Sequence, residues 1–161
     1  MSVAFDATVL VDFFSRKVTG DRRAKLDDLV GALEKSRTRI VIPTPALTEL
    51  LVRAGKAREE IHNVLTRKSA FEIAPFDVKA AIECSILLEE AWSGLEKRAV
   101  TKTKFKFDWQ IVAIAATRRV TAIYSDDGDI AKAAARVGIQ VVRIDDLALP
   151  ASASQAKLDL A

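Results

Sequence analysis

The chain has 161 residues and a mass of 17.6 kDa, is half apolar, and carries 25 lysines and arginines against 22 acids, a formal net charge of +3. That length suits one domain with its own core, and the single cysteine, Cys84, excludes an internal disulfide and points to a reducing compartment. No apolar run approaches the roughly 20 residues that span a bilayer, and the N-terminus meets Asp6 with no basic stretch before it, so a soluble, cytoplasmic chain with no membrane partner is expected.

Taken in order, residues 2–5 read as a short strand ending at Asp6, followed by a helix over 8–15. Gly20-Asp21 opens a second helix to about 35, with Leu26, Leu29, Val30 and Leu33 at helical spacing. Residues 39–42 are a strand stopped by Pro43. Thr44 is expected to cap the next helix, with Pro45 in its first turn, running to about 54 and stopping at Gly55. A helix over 57–67 carries the only histidine, His62, on a surface or half-buried position. Residues 71–74 form a third strand, and Asp77 caps a long helix to about 97 that holds Cys84 as a small buried hydrophobe. A basic loop then leads to a helix over 109–119, apolar nearly all round, with Asp108 at its cap position. Strands at 121–125 and 140–144 flank a helix over 130–137, and the stretch from 149 to 161 reads as a frayed tail. Strands alternating with helices predict an α/β chain, a parallel sheet covered on both faces.

Each acid at a segment boundary has an ordinary explanation. Asp6 and Asp108 suit helix caps, Glu49 suits an ion pair with Arg53 worth about 0.2–0.5 kcal/mol, and acids at 126, 127 and 129 suit a helix N-terminus. Jointly these explanations leave more to account for. In an open parallel sheet the carboxyl ends of the strands face one crevice. Two like charges 4 Å apart there repel by about 4 kcal/mol at an effective dielectric of 20. A shared divalent cation removes that cost, so the pattern points to a hard-metal site and to hydrolysis of phosphate esters. Periodicity does not decide which of Asp126 and Asp127 points inward. Lys97, Arg98, Lys102, Lys104 and Lys106 crowd the approach to Asp108. Beside an acidic crevice they read as a rim that tracks phosphates rather than as a plain solvated loop.

Other phosphate chemistries fit less well. A haloacid-dehalogenase-like phosphatase needs a second Asp where this chain has Thr8. A receiver domain needs an acid after the third strand, and residues 71–75 offer none in that place. Six glycines, none in a phosphate-cradling cluster, exclude the Gly-rich nucleotide loops.

Four stretches together resemble the PIN-domain ribonucleases, and among them the VapC-type toxins of toxin–antitoxin pairs. They are Asp6-Ala7-Thr8-Val9-Leu10, Pro45 with Thr48-Glu49-Leu50, Asp108-Trp109-Gln110-Ile111-Val112-Ala113-Ile114-Ala115, and Tyr124-Ser125-Asp126-Asp127-Gly128-Asp129-Ile130. The resemblance implies a PIN-like domain over 1–148, a three-layer α/β/α sandwich whose central five-stranded parallel sheet has the order 3-2-1-4-5. It implies a metal-dependent (endo)ribonuclease with Asp6, Glu49, Asp108 and Asp127 as its catalytic acids, holding Mg²⁺ or Mn²⁺. Asp129 matches a further acid of the last loop, and Asp126 beside Asp127 departs from the family pattern and leaves the fourth ligand open. Thr8 and Ser125 would steady the ligands, and Lys102, Lys104 and Lys106 would hold the RNA backbone. A small antitoxin protein and a homodimer are the partners the family implies. The alternative is a catalytically silent PIN-like module that binds RNA or protein.

Overall fold

The computed structural model describes residues 1–94 and 102–153, with side chains described except at 92–94 and 102–106. Strand β1 (Ser2–Phe5) leads into α1 (Ala7–Phe14) and α2 (Gly20–Lys35), then β2 (Arg39–Pro43), α3 (Thr44–Ala54), α4 (Arg58–Arg67) and β3 (Phe71–Ala74). The second half runs through α5 (Val78–Gly94), α6 (Lys102–Thr117), β4 (Ala122–Tyr124), α7 (Gly128–Arg136) and β5 (Gln140–Val142). The strands form one parallel sheet in the order β3-β2-β1-β4-β5, as expected. Helices flank it; α1 packs on α3, and α6 packs on α5 and α7.

Burial on both faces explains why the central strands are apolar without alternation. Val3, Ala4, Phe5, Ile40, Val41, Ile42 and Ile123 are all buried. From β1 the chain moves outward through β2 and β3, then returns to pair β4 with the other side of β1 through Ala4↔Ile123 and Phe5↔Tyr124. The order therefore reverses between β1 and β4. The carboxyl ends of these two strands are where an open α/β sheet places its ligand crevice.

Three expectations need correction. Helix α6 begins at Lys102 and not at Trp109, so Asp108 lies in its second turn and caps nothing. Residues 102–107 contain neither glycine nor proline, and nothing in them stops the helix growing toward the N-terminus. Pro43, not Thr44, is the residue preceding α3; the Thr44 hydroxyl instead accepts from Phe76 N at 3.1 Å. The last two strands are shorter than expected, and Ile144–Asp146 is a 3₁₀ turn. By contrast Asp77 Oδ1 does accept from Ala80 N, at 2.9 Å, at the start of α5. Cys84 is buried and His62 exposed. Lys97 and Arg98, and the tail from 154 onward, lie outside the described residues.

Candidate metal centre

Asp6 follows β1 directly and caps α1, with an extended backbone (φ −84°, ψ 179°) that turns its carboxylate back over the helix start. Its Oδ1 accepts from Val9 N at 3.1 Å and from the Thr8 hydroxyl at 2.7 Å, and its Oδ2 accepts from the Ser125 hydroxyl at 2.5 Å. Only 2 % of the residue is exposed. Burial pushes its pKa above the usual carboxylate range. The bonds from Ser125, Thr8 and Val9 pull the other way, and the charge of Asp127 adds to the rise. The capping explanation and the crevice explanation therefore hold together for this residue.

Ser125 and Thr8 join the ends of β1 and β4. Beyond its bond to Asp6, the Ser125 hydroxyl accepts from Asp127 N at 3.0 Å, and the Thr8 hydroxyl accepts from Asp126 N at 3.1 Å. Asp127 caps α7, accepting from Asp129 N at 2.8 Å. Asp108 on α6 is buried, as are Trp109 and residues 111–115 that follow it. Asp108, Asp127 and Asp129 each bring a carboxylate oxygen within 4.8 Å of the other two. One divalent ion with ligand bonds of about 2.0–2.6 Å bridges such a span. The donors are anionic oxygens, a set suited to Mg²⁺ or Mn²⁺ rather than to thiophilic metals.

Asp126 turns away from the trio. Its Oδ2 pairs with Arg22, its Oδ1 accepts from Ile144 N at 3.3 Å, and Arg143 comes within 3.9 Å. Glu49, on α3, is exposed and is not one of the trio, and among the described residues no ion pair joins it to Arg53. Lys102, Lys104 and Lys106 start α6, but their side chains lie outside those described.

Arg22 escaped the sequence reading. It donates from Nε to Asp12 Oδ2 at 2.7 Å and from a terminal nitrogen to Asp145 Oδ1 at 3.0 Å, besides pairing with Asp126. Partial burial works against its charge, yet the bonds to Asp126 and Asp12 and their charges outweigh that and hold the guanidinium more firmly protonated. The partners of Arg22 at 126 and 145 are more than a hundred residues away, so no local spacing could signal them.

A family model described as the PIN domain matches residues 3–136. No curated protein matches the sequence. Among solved structures the chain is similar to VapBC2 from Rickettsia felis bound to a promoter DNA fragment (16 % identity, TM-score 0.63, covering 89 % of this chain and 98 % of that one). It is also similar to DNA-bound VapBC from Salmonella typhimurium (19 %, 0.61, 89 % and 98 %). A third likeness is to VapC20 of Mycobacterium tuberculosis, described as a sarcin-ricin loop cleaving toxin (12 %, 0.57, 81 % and 94 %). At these identities the structural matches speak for the fold. Together with the family model and the crevice acids, they lead to one conclusion: the chain belongs to the PIN-domain family.

Proposed function

We propose that this chain is a metal-dependent ribonuclease, hydrolysing RNA phosphodiester bonds as the toxin of a type II toxin–antitoxin pair. The observation that carries the reading is the convergence of Asp108, Asp127 and Asp129 within 4.8 Å, beside the buried Asp6 that senses the charge of Asp127. Asp6, Asp108 and Asp127 would hold Mg²⁺ or Mn²⁺, with Asp129 at the same mouth and Glu49 approaching from α3. A bound divalent ion supplies an activated water and charge to offset that developing on the phosphate. The chain's own residues set the frame. Thr8 and Ser125 fix both Asp6 oxygens, Ser125 also fixes the backbone of Asp127, and the buried stretch of α6 over 111–115 would hold Asp108 rigidly. Lys102, Lys104 and Lys106 would steer the RNA backbone toward this mouth. The VapBC neighbours support a small antitoxin protein as partner. A homodimer, reading as twice 17.6 kDa in light scattering, completes the proposal.

The test is Asp108→Asn. Losing even a residue that merely supports a ligand costs roughly 10–100-fold. Cleavage of RNA should therefore fall at least about 100-fold, with the unfolding temperature kept or raised. Full activity in that variant sinks the assignment. A parent chain that binds RNA, cleaves none, and gains no thermal stability from Mg²⁺ or Mn²⁺ would be the silent binding module instead. Among the described residues no helix is long and apolar enough to cross a membrane.

A further inference from the structure

The opposite, amino-terminal edge of the sheet is cationic. Two adjoining depressions of ≈ 630 and ≈ 640 Å³ open there and share Arg37 and Arg39. Their linings carry Arg37, Arg39, Arg67, Lys68, Arg118 and Arg119 against two acids. Of these acids, Glu34 pairs with Lys68 at 3.1 Å, while Glu72 pairs with Arg39 at 3.0 Å and with Arg118 at 3.6 Å. Asp77, from outside the linings, comes within 3.9 Å of Arg118. Among the described residues no carboxylate pairs with Arg37 or Arg119, and both are exposed.

Those two arginines also hold an uncommon backbone, with φ of 56° at Arg37 and 52° at Arg119. Three helices of this chain end in one and the same turn before a strand. After α2, Thr38 N donates to Leu33 O at 2.9 Å and Arg37 N to Glu34 O at 3.0 Å. After α6, Val120 N donates to Ala115 O at 3.2 Å and Arg119 N to Ala116 O at 2.9 Å. After α7, Ile139 N donates to Ala134 O at 3.1 Å and Gly138 N to Ala135 O at 3.3 Å, with φ 68° at Gly138. The turn needs a left-handed residue, which glycine adopts freely and an L side chain only at a cost. Glycine serves before β5, where the turn lines neither depression. Arginine serves before β2 and β4, where both turns line the same one. Side chains kept against backbone preference twice in one pocket argue that the guanidinium groups are used.

We propose that this edge is a second RNA contact, in which Arg37 and Arg119, flanked by Arg39 and Arg118, hold backbone phosphates on the far side of the sheet from the carboxylates. It rests on the ribonuclease reading above. The linings of the two depressions contain no aromatic, leucine or isoleucine side chain. The tryptophan and tyrosine anchors common at protein interfaces are therefore absent, whereas the guanidinium forks and hydroxyls that phosphates take are present. The two edges lie about 13 Å apart along β1, so a folded RNA can touch both and a trinucleotide only one.

The experiment compares the parent with Arg37→Gly/Arg119→Gly and with Arg37→Asn/Arg119→Asn, since asparagine also tolerates the turn. Binding of an RNA hairpin is followed by fluorescence anisotropy across salt concentrations without divalent ions, and cleavage of the hairpin and of a trinucleotide with Mg²⁺ or Mn²⁺. Both variants should bind the hairpin about 10-fold more weakly, with the slope of log affinity against log salt reduced by about 2. Trinucleotide cleavage should be unchanged and the unfolding temperature unchanged or higher. Unaltered hairpin affinity and slope overturn the proposal, as do equal losses on both RNAs or a lower unfolding temperature in both variants. Displacement of the hairpin by polyglutamate at equal charge concentration overturns it in favour of an acidic protein segment. A parent that binds the hairpin yet cleaves neither RNA removes the cleavage reading, and anisotropy alone then decides the arginine contacts.

Discussion

Asp6 is almost wholly buried, receives three hydrogen bonds, and still has its pKa raised, because burial outweighs the donors and Asp127 adds a like charge. The folded chain thus keeps a proton on Asp6 at pH values where the unfolded chain has lost it. The stability contributed by this residue is therefore greatest below the ordinary value of about 4 and falls as pH rises through the raised one. Without divalent ions, Asp6→Asn should unfold at higher urea than the parent, and the gap should widen above about pH 4 before levelling. With Mg²⁺ or Mn²⁺ the order should reverse, since the parent offers the ion one more carboxylate and gains more from binding it. A gap that narrows as pH rises would contradict this account. Thr8→Val tests the clasp. It removes a donor to Asp6 and an acceptor for Asp126 N, and should cost about 1–3 kcal/mol by urea titration. Cys84 is simpler. Burial raises its thiol pKa, so native protein should react with iodoacetamide far more slowly than unfolded protein, and equal rates would place the thiol at the surface.

Between elements, the Arg22 bridge links α2 to Asp12 on α1, to Asp126 after β4 and to Asp145 after β5. Arg22→Ala leaves three carboxylates without their shared cation and should lower stability by about 1–3 kcal/mol in urea. None of the three partners of Arg22 belongs to the Asp108, Asp127 and Asp129 trio, so the thermal gain from Mg²⁺ should persist in that variant; its loss would mean that the bridge shapes the site. The same bridge answers which acid after β4 faces inward, a matter that strand periodicity left open. Helix α6 teaches a related lesson. Its apolar run was legible as a buried helix, yet its start was misplaced because Asp108 looks like a cap in isolation. A carboxylate inside a helix needs no cap role when the crevice it faces holds other acids.

For the whole molecule, the parallel sheet, its strand order and the family were legible in 161 residues. Period and punctuation are local properties, and four acidic motifs in order carried the resemblance. Strand ends, the start of α6 and the grouping of the acids were not legible, because they depend on which distant segments share a face. The reversal of strand order between β1 and β4 brings Asp6, Ser125 and Asp127 together across more than a hundred residues. The arginine edge is a product of the same topology, since the turns before β2 and β4 meet only when both strands flank β1. The amino-acid sequence by itself thus determined the elements, the layers and the chemical type of the crevice, because side-chain pattern and turn chemistry act over a few residues. Tertiary structure alone decided which carboxylates face one another and which arginines share a pocket, because charge acts through space and takes no account of separation along the chain.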